Sequence, residues 1–208
     1  MTLTIVSLTG GRAEAQDPPP PIPRFVLDLR GSIPKFPGNQ QLADSRRLDL
    51  RELPGAGLGI DAGAHLSVLK WKAVTFGLGA HLTLAQSHSS AYSVEGQPAR
   101  RAVTERFTSF TPQLSFNFGT GDGWSYISGG IGRSIWSIVP EGAQPQPADE
   151  ERLKTINYGG GARWFIKPHV AFTFDVRVHA LDPGAPQGAV PGSPRTRLLI
   201  IGAGVSLK

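Results

Sequence analysis

The sequence predicts an all-β fold, an eight-stranded antiparallel up-and-down transmembrane β-barrel, from three observations. Eight segments alternate apolar and polar side chains with a period of two. The links between these segments are by turns long and polar, then tight. No stretch approaches the roughly 18 consecutive apolar residues of a membrane helix, while the longer patterned segments reach the roughly ten tilted residues with which a strand crosses a bilayer.

The clearest pattern is the pair running from Tyr158 to Ala180. Tyr158, Gly160, Ala162, Trp164 and Ile166 share one parity; after a turn, Val170, Phe172, Phe174, Val176 and Val178 form an unbroken apolar face opposed by Ala171, Thr173, Asp175, Arg177 and His179. In a transmembrane barrel the apolar face meets lipid and the polar face lines the lumen; in a soluble sandwich it would meet a second sheet.

Taken from the N-terminus, a first strand is expected from Phe25 to about Gly31, followed by a polar, proline-broken segment from Ser32 to Pro54. The second strand carries Leu58, Ile60, Ala62, Ala64, Leu66 and Val68 on one face; after a sharp turn at Leu69 to Lys72, the third carries Val74, Phe76, Leu78, Ala80, Leu82 and Leu84. A polar loop from Gln86 to about Glu105 precedes a fourth strand with Phe110, Leu114, Phe116 and Phe118 outward, in which Pro112 should remove one ladder hydrogen bond or mark a bulge. Glycine-rich residues 119–123 make the next turn. The fifth strand, Trp124 to Ile138, is read with Ile127, Ile131 and Ile135 outward, Tyr126 and Trp136 opposite, and Arg133, which shares the isoleucine parity, near the end of the strand or displaced by a bulge. Polar loops from Pro140 to Glu151 and from Leu181 to Pro194 flank the sixth and seventh strands, and Leu199, Ile201, Ala203, Val205 and Leu207 set the outward face of the eighth. Trp71, Trp124 and Trp164 lie at or near tight turns, where an aromatic girdle at a membrane interface is expected.

Upstream, a short apolar run and Ala13-Glu14-Ala15 fit an export signal over residues 1–15 with an A-x-A cleavage site, without a basic n-region. Residues 16–23 form a leader in which Pro18 to Pro21 enforce an extended chain. The barrel is assigned to residues 24–208. The formal net charge is +5, but Lys and Arg are scattered rather than clustered, which argues against nucleic acid as a partner. With no Cys there is no disulfide framework and no thiolate metal site.

Residues 159–165, Gly-Gly-Gly-Ala-Arg-Trp-Phe, followed by a tight turn and Arg177, resemble the penultimate hairpin of the small eight-stranded outer-membrane barrels of the OmpA/OmpX type, and the resemblance extends over about Arg24 to Lys208. It implies a monomer in the outer membrane of a Gram-negative-type bacterium, with both termini periplasmic, outer-membrane lipid around it and long loops for surface partners. Such barrels often end in an aromatic residue; this sequence ends Ser206-Leu207-Lys208.

The expected lumen set is Asp28, Arg30, Asp61, His65, His81, Arg163, Asp175, Arg177 and His179. An eight-stranded barrel is just wide enough for side chains to fill, so charges inside must pair or be hydrated. Mutual ion pairing, forming a plug, is the expected outcome. The competing reading makes His65, His81 and His179 with Asp61 or Asp175 a metal or acid-base site, but no helical metal-ligand spacing supports it. His88, Ser89, Ser90 and Glu95 could form a lipid-hydrolase constellation only if a fold held them together. Gly57-x-Gly59 and Gly159 to Gly161 precede no helix, so they are read as strand glycines rather than phosphate loops. The function expected is a non-enzymatic outer-membrane barrel with no cofactor and no metal. The alternatives are a soluble lipocalin-like carrier of a small apolar ligand, with its apolar face inward, or a lipid-modifying barrel enzyme.

Overall fold

The computed structural model describes residues 19–93, 95, 99–144, 149–188 and 190–208; the expected export signal and the first residues of the leader lie outside them. Eight strands follow in order: β1 (Phe25–Lys35), β2 (Leu58–Trp71), β3 (Val74–Ser89), β4 (Val103–Thr120), β5 (Gly123–Pro140), β6 (Glu150–Lys167), β7 (Val170–Leu181) and β8 (Thr196–Leu207). Each pairs antiparallel with its neighbours, and β8 pairs with β1 to close the ring.

The register fixes the geometry of the ring. From Phe25, the partners Leu66, Leu78, Leu114, Gly129, Tyr158, Val178 and Leu199 lead round to Lys35, ten residues along β1 from the start. A shear of ten on eight strands tilts them by about 40°, with an interior that side chains fill. Those ten residues rise about 25 Å along the barrel axis, the height of a transmembrane apolar band.

Over that height the apolar parity points outward. Leu27, Leu29, Ile60, Leu66, Leu78, Phe110, Leu114, Ile127, Ile131, Phe172 and Val205 are all exposed, and their neighbours in sequence point in. The soluble carrier needed the opposite arrangement. Above this band the strands continue and the polarity inverts without a change of parity. Phe107, Trp136, Ile138, Leu153, Leu181, Leu198 and Ile200 point inward and are buried, while Lys35, Arg106, Arg133, Arg152, Lys154 and Arg197 are exposed.

Several strands therefore outrun their expected ends. Arg133, expected near a strand end or at a bulge, instead stays outward in an unbroken register as β5 runs on past it. β1 continues to Lys35, with Pro34 in the ladder opposite Ile200; so near a strand end its missing N–H costs little, and its carbonyl accepts from Gly57 N at 3.0 Å. The following link, expected as a polar, proline-broken segment, carries local structure of its own. It folds into α1 (Gln40–Ser45) and a short 3-10 turn, Leu50–Glu52. Asn39 caps α1, its side chain accepting from Leu42 N at 2.9 Å, and Asp49 and Glu52 form a capping box. Leu42 of α1, with Phe36 and Leu48, packs onto the inward apolar residues of the strand ends and roofs the barrel.

At the opposite end the links are tight, as expected. The leader runs beneath the ring: Ser67 donates to the Pro23 carbonyl, and Gly121, in the turn between β4 and β5 across the ring from β1, donates to the Pro20 carbonyl at 2.6 Å. Pro112 has the predicted effect, since the β4–β5 ladder pairs Phe110 with Arg133 and resumes only at Leu114 with Gly129.

Candidate functional site

The period-two pattern places the whole expected set inside. Asp28, Arg30, Asp61, His81, Arg163, Asp175, Arg177 and His179 are buried, and His65 is half-buried beside them. Because the shear offsets each strand, residues far apart in sequence meet. Arg163 grips Asp28 with Nε at 2.9 Å and with Nη2; Arg30 Nη1 and His65 Nε2 approach the same carboxylate at 3.3 and 3.2 Å, and Ser206 Oγ donates to it. Arg177 holds Asp175 with Nε and Nη2, both at 3.0 Å, and also donates to Asn157 and Ser128. Asp61 accepts from Thr83 Oγ1 at 2.6 Å and lies 3.8 Å from His81, which in turn is 3.3 Å from Arg30.

Tyr126 joins these groups. Its hydroxyl donates to Asp175 at 2.6 Å and accepts from Arg30 at 3.4 Å, and Arg163 stacks on its ring at 4.1 Å. Three carboxylates face three guanidiniums, so the membrane-height interior carries no net charge with the histidines neutral. That balance is what a low-dielectric interior demands. His179 stands apart from the ion pairs, with Nε2 3.4 Å from Asn157 and its ring edge-on to Phe107. The three histidines do not converge with carboxylates on one point, and no group of ligands for a metal occurs among the described residues.

The tryptophans divide. Trp71 and Trp164 point outward at the tight-turn end, 61% and 53% exposed, and Trp164 stacks on Phe172. Trp124 does not join them. It is 4% exposed, stacked inside on Phe165 with the Arg163 guanidinium 5.5 Å from its ring. The reason is parity: with Ile127, Ile131 and Ile135 outward, every even residue of β5 points in. The hydrolase candidates are not assembled either. His88 contacts Thr104, and Ser89 Oγ donates to the Glu52 carbonyl rather than to a neighbouring candidate; Ser90 and Glu95 lie outside the strands.

Sequence reasoning missed the residues that close the loop end. Trp136 Nε1 donates to Glu105 at 2.7 Å beneath the roof, and Arg46, just past α1, meets Glu151 at 2.6 Å. Glu52 accepts from Arg101 through the guanidinium, at 3.1 Å, and through the backbone N–H at 2.9 Å, tying the first long link to the second. The Arg101 side-chain hydrogen bonds, outweighing the effect of burial, pull the Glu52 carboxyl down to about 2. Tyr126 and Trp136 were legible as inward by parity, whereas Glu105 and Glu151 fell in stretches whose inverted polarity reads as loop.

No family model matches the chain, and no curated protein matches it in sequence. Among solved structures, Neisserial surface protein A (NspA) aligns with a TM-score of 0.52 at 14% identity, over 89% of this chain and 97% of that one. The N-terminal β-barrel domain of Pseudomonas aeruginosa OprF aligns at 0.44 and 11% identity, over 88% and 96% of the two chains. Ail, the attachment invasion locus protein of Yersinia pestis, aligns at 0.40 and 12%, over 88% and 96%. The likeness to NspA is one of fold: an eight-stranded antiparallel barrel closed by the pairing of β8 with β1.

Proposed function

We propose that this chain is a non-enzymatic outer-membrane barrel, a monomer with a plugged lumen, its tight turns and both termini in the periplasm and its long links outside as the surface for external contacts. The observation that carries the membrane reading is the inversion of polarity at one level of the wall. Below it the wall is apolar outside and charged inside, as lipid requires; above it, Ile135 apart, the long outward side chains of β4 to β6 are charged and the inside carries an apolar cluster, as water requires. The charge-balanced network, the roof of α1 and the leader beneath support the plug.

The test is single-channel recording of the refolded chain in a planar bilayer, with a heat-shifted gel band confirming the folded barrel. The expected record is flat at both polarities. Steady, stepwise conductance from protein that shows the folded band refutes the plug and leaves the barrel; absence of the folded band and no retention in lipid refutes the membrane reading itself.

A further inference from the structure

The outer wall of β4 to β6 changes character within two residues. Ile131 on β5 pairs with Ile156 on β6, both exposed; one outward position further along, Arg133 pairs directly with Lys154, and both again are exposed. Arg152 follows Lys154 on the same face, one strand repeat of about 7 Å away. Like charges directly opposite on a sheet repel, and nothing on the β4 side relieves this pair, since the partner of Arg133 there is Phe110. The nearest outward carboxylate on β6 is Glu150, which lies 4.0 Å from Arg152 rather than between Arg133 and Lys154. Asp149 and Glu150 line a groove with Arg106 and Arg152 higher on the wall. Opposed cations therefore sit at the rim of the apolar band, with Ile131, Ile156, Phe110 and Tyr158 exposed beside and below them and one outward isoleucine of β5, Ile135, above Arg133 and opposite Arg152.

We infer that Arg133 and Lys154, assisted by Arg152, form a binding site for a phosphorylated lipid headgroup of the loop-side leaflet, whose acyl chains lie along Ile131, Ile156 and Tyr158. An anion between the two cations turns their repulsion into attraction. Its height is set by the wall, because the phosphates of a leaflet lie where the hydrocarbon ends, and this pair stands one outward position above Ile131 and Ile156. Lys35, Arg106 and Arg197 continue the exposed basic rim around the barrel, but none of them faces another cation directly across a ladder. This inference rests on the membrane reading above.

The experiment uses the full chain in nanodiscs of zwitterionic phosphatidylcholine doped with bis-phosphorylated lipid A, or with the same lipid stripped of its phosphates. Retained lipid is counted by native mass spectrometry after transfer to detergent. The wild-type chain is expected to retain the phosphorylated form over the stripped form by about tenfold or more, as two cations on one anionic headgroup imply. The R133Q/K154Q variant should lose most of that preference, whereas K70Q/K72Q, at the opposite rim, should keep it. A melting rise on adding phosphorylated lipid, present in the wild type and absent in R133Q/K154Q, is the second readout. If the double variant yields no folded band, R133Q and K154Q are measured singly.

Equal retention of the two lipids by the wild-type chain, or an unchanged preference in the variants, overturns the site. Displacement of the lipid by millimolar inorganic phosphate would make it a site for the free ion and overturn the lipid assignment. A chain that does not stay in the nanodisc at all sinks the membrane reading; one that stays without preference sinks only this inference.

Discussion

Replacing Asp28 by Asn changes one buried oxygen into an amide and leaves every backbone contact in place. Asp28 accepts from Arg163 twice, faces Arg30 and His65, and receives Ser206. Asn keeps one acceptor, but its NH2 group then points at guanidinium donors, and the balance of three carboxylates against three arginines becomes an excess of one positive charge. Breaking a buried pair by removing one partner costs roughly 3–5 kcal/mol, because the other charge is left uncompensated. At about 2–4 °C per kcal/mol for a chain of this size, the midpoint should fall by roughly 6–20 °C. The assay is the temperature at which the fast-migrating folded band is lost in detergent. A D28N/R163Q chain should recover part of the loss, giving a coupling on the order of 1–3 kcal/mol. If D28N melts within about 2 °C of wild type, Asp28 is hydrated rather than paired, and the dry interior is wrong.

Two further perturbations test other parts of the molecule. Glu52 has its carboxyl held at about 2 by Arg101, below the ordinary value of 4.5, so the stabilisation it gives is fully present above about pH 4.5 and is lost as pH falls toward 2. Protease sensitivity of the first long link should therefore rise across that window in the wild type. In E52Q it should be raised already at neutral pH and respond far less to acid, and identical profiles would show that the Arg101 contact does not hold the link. Gly161 faces inward, and a Cβ there would lie 2.8 Å from Tyr126 Oη and 2.1 Å from the Phe174 carbonyl. G161A should thus displace the tyrosine that joins Arg30 to Asp175, at a cost of about 1–3 kcal/mol read by thermal melting; an unshifted midpoint would mean that the strands give way freely.

The inward residues were legible because lipid imposes the strictest rule a sequence can carry: along Val170 to Val178 every second residue must be apolar, so Asp175 and Arg177 have only the lumen left. Their partners were not legible. Asp28 and Arg163 are 135 residues apart and meet because the register of the intervening strands and the shear bring β1 and β6 to one height. Above the membrane edge the same alternation serves water instead, so Arg197 points out while Leu198 and Ile200 point in, and a reading tuned to lipid ends the strands too early. The six residues of α1 are too few for a helical period to show, although Asn39 is the cap residue such a turn requires. Trp124 was placed by its nearness to a turn, where the parity of Ile127 was the better guide.

The seam between β1 and β8 constrains the order of events in biogenesis. Leu27 pairs with Leu207, and Asp28 takes a hydrogen bond from Ser206, 178 positions later. Until Thr196–Leu207 has emerged, both β1 and β7 present bare N–H and C=O groups along a free edge, which a bilayer interior cannot satisfy. Such an open ribbon has no stable place in lipid. Strand β8 therefore acts as a latch in time: sealing of the ring and entry into the membrane must coincide, or an assembly factor must shield the two edges until β8 arrives.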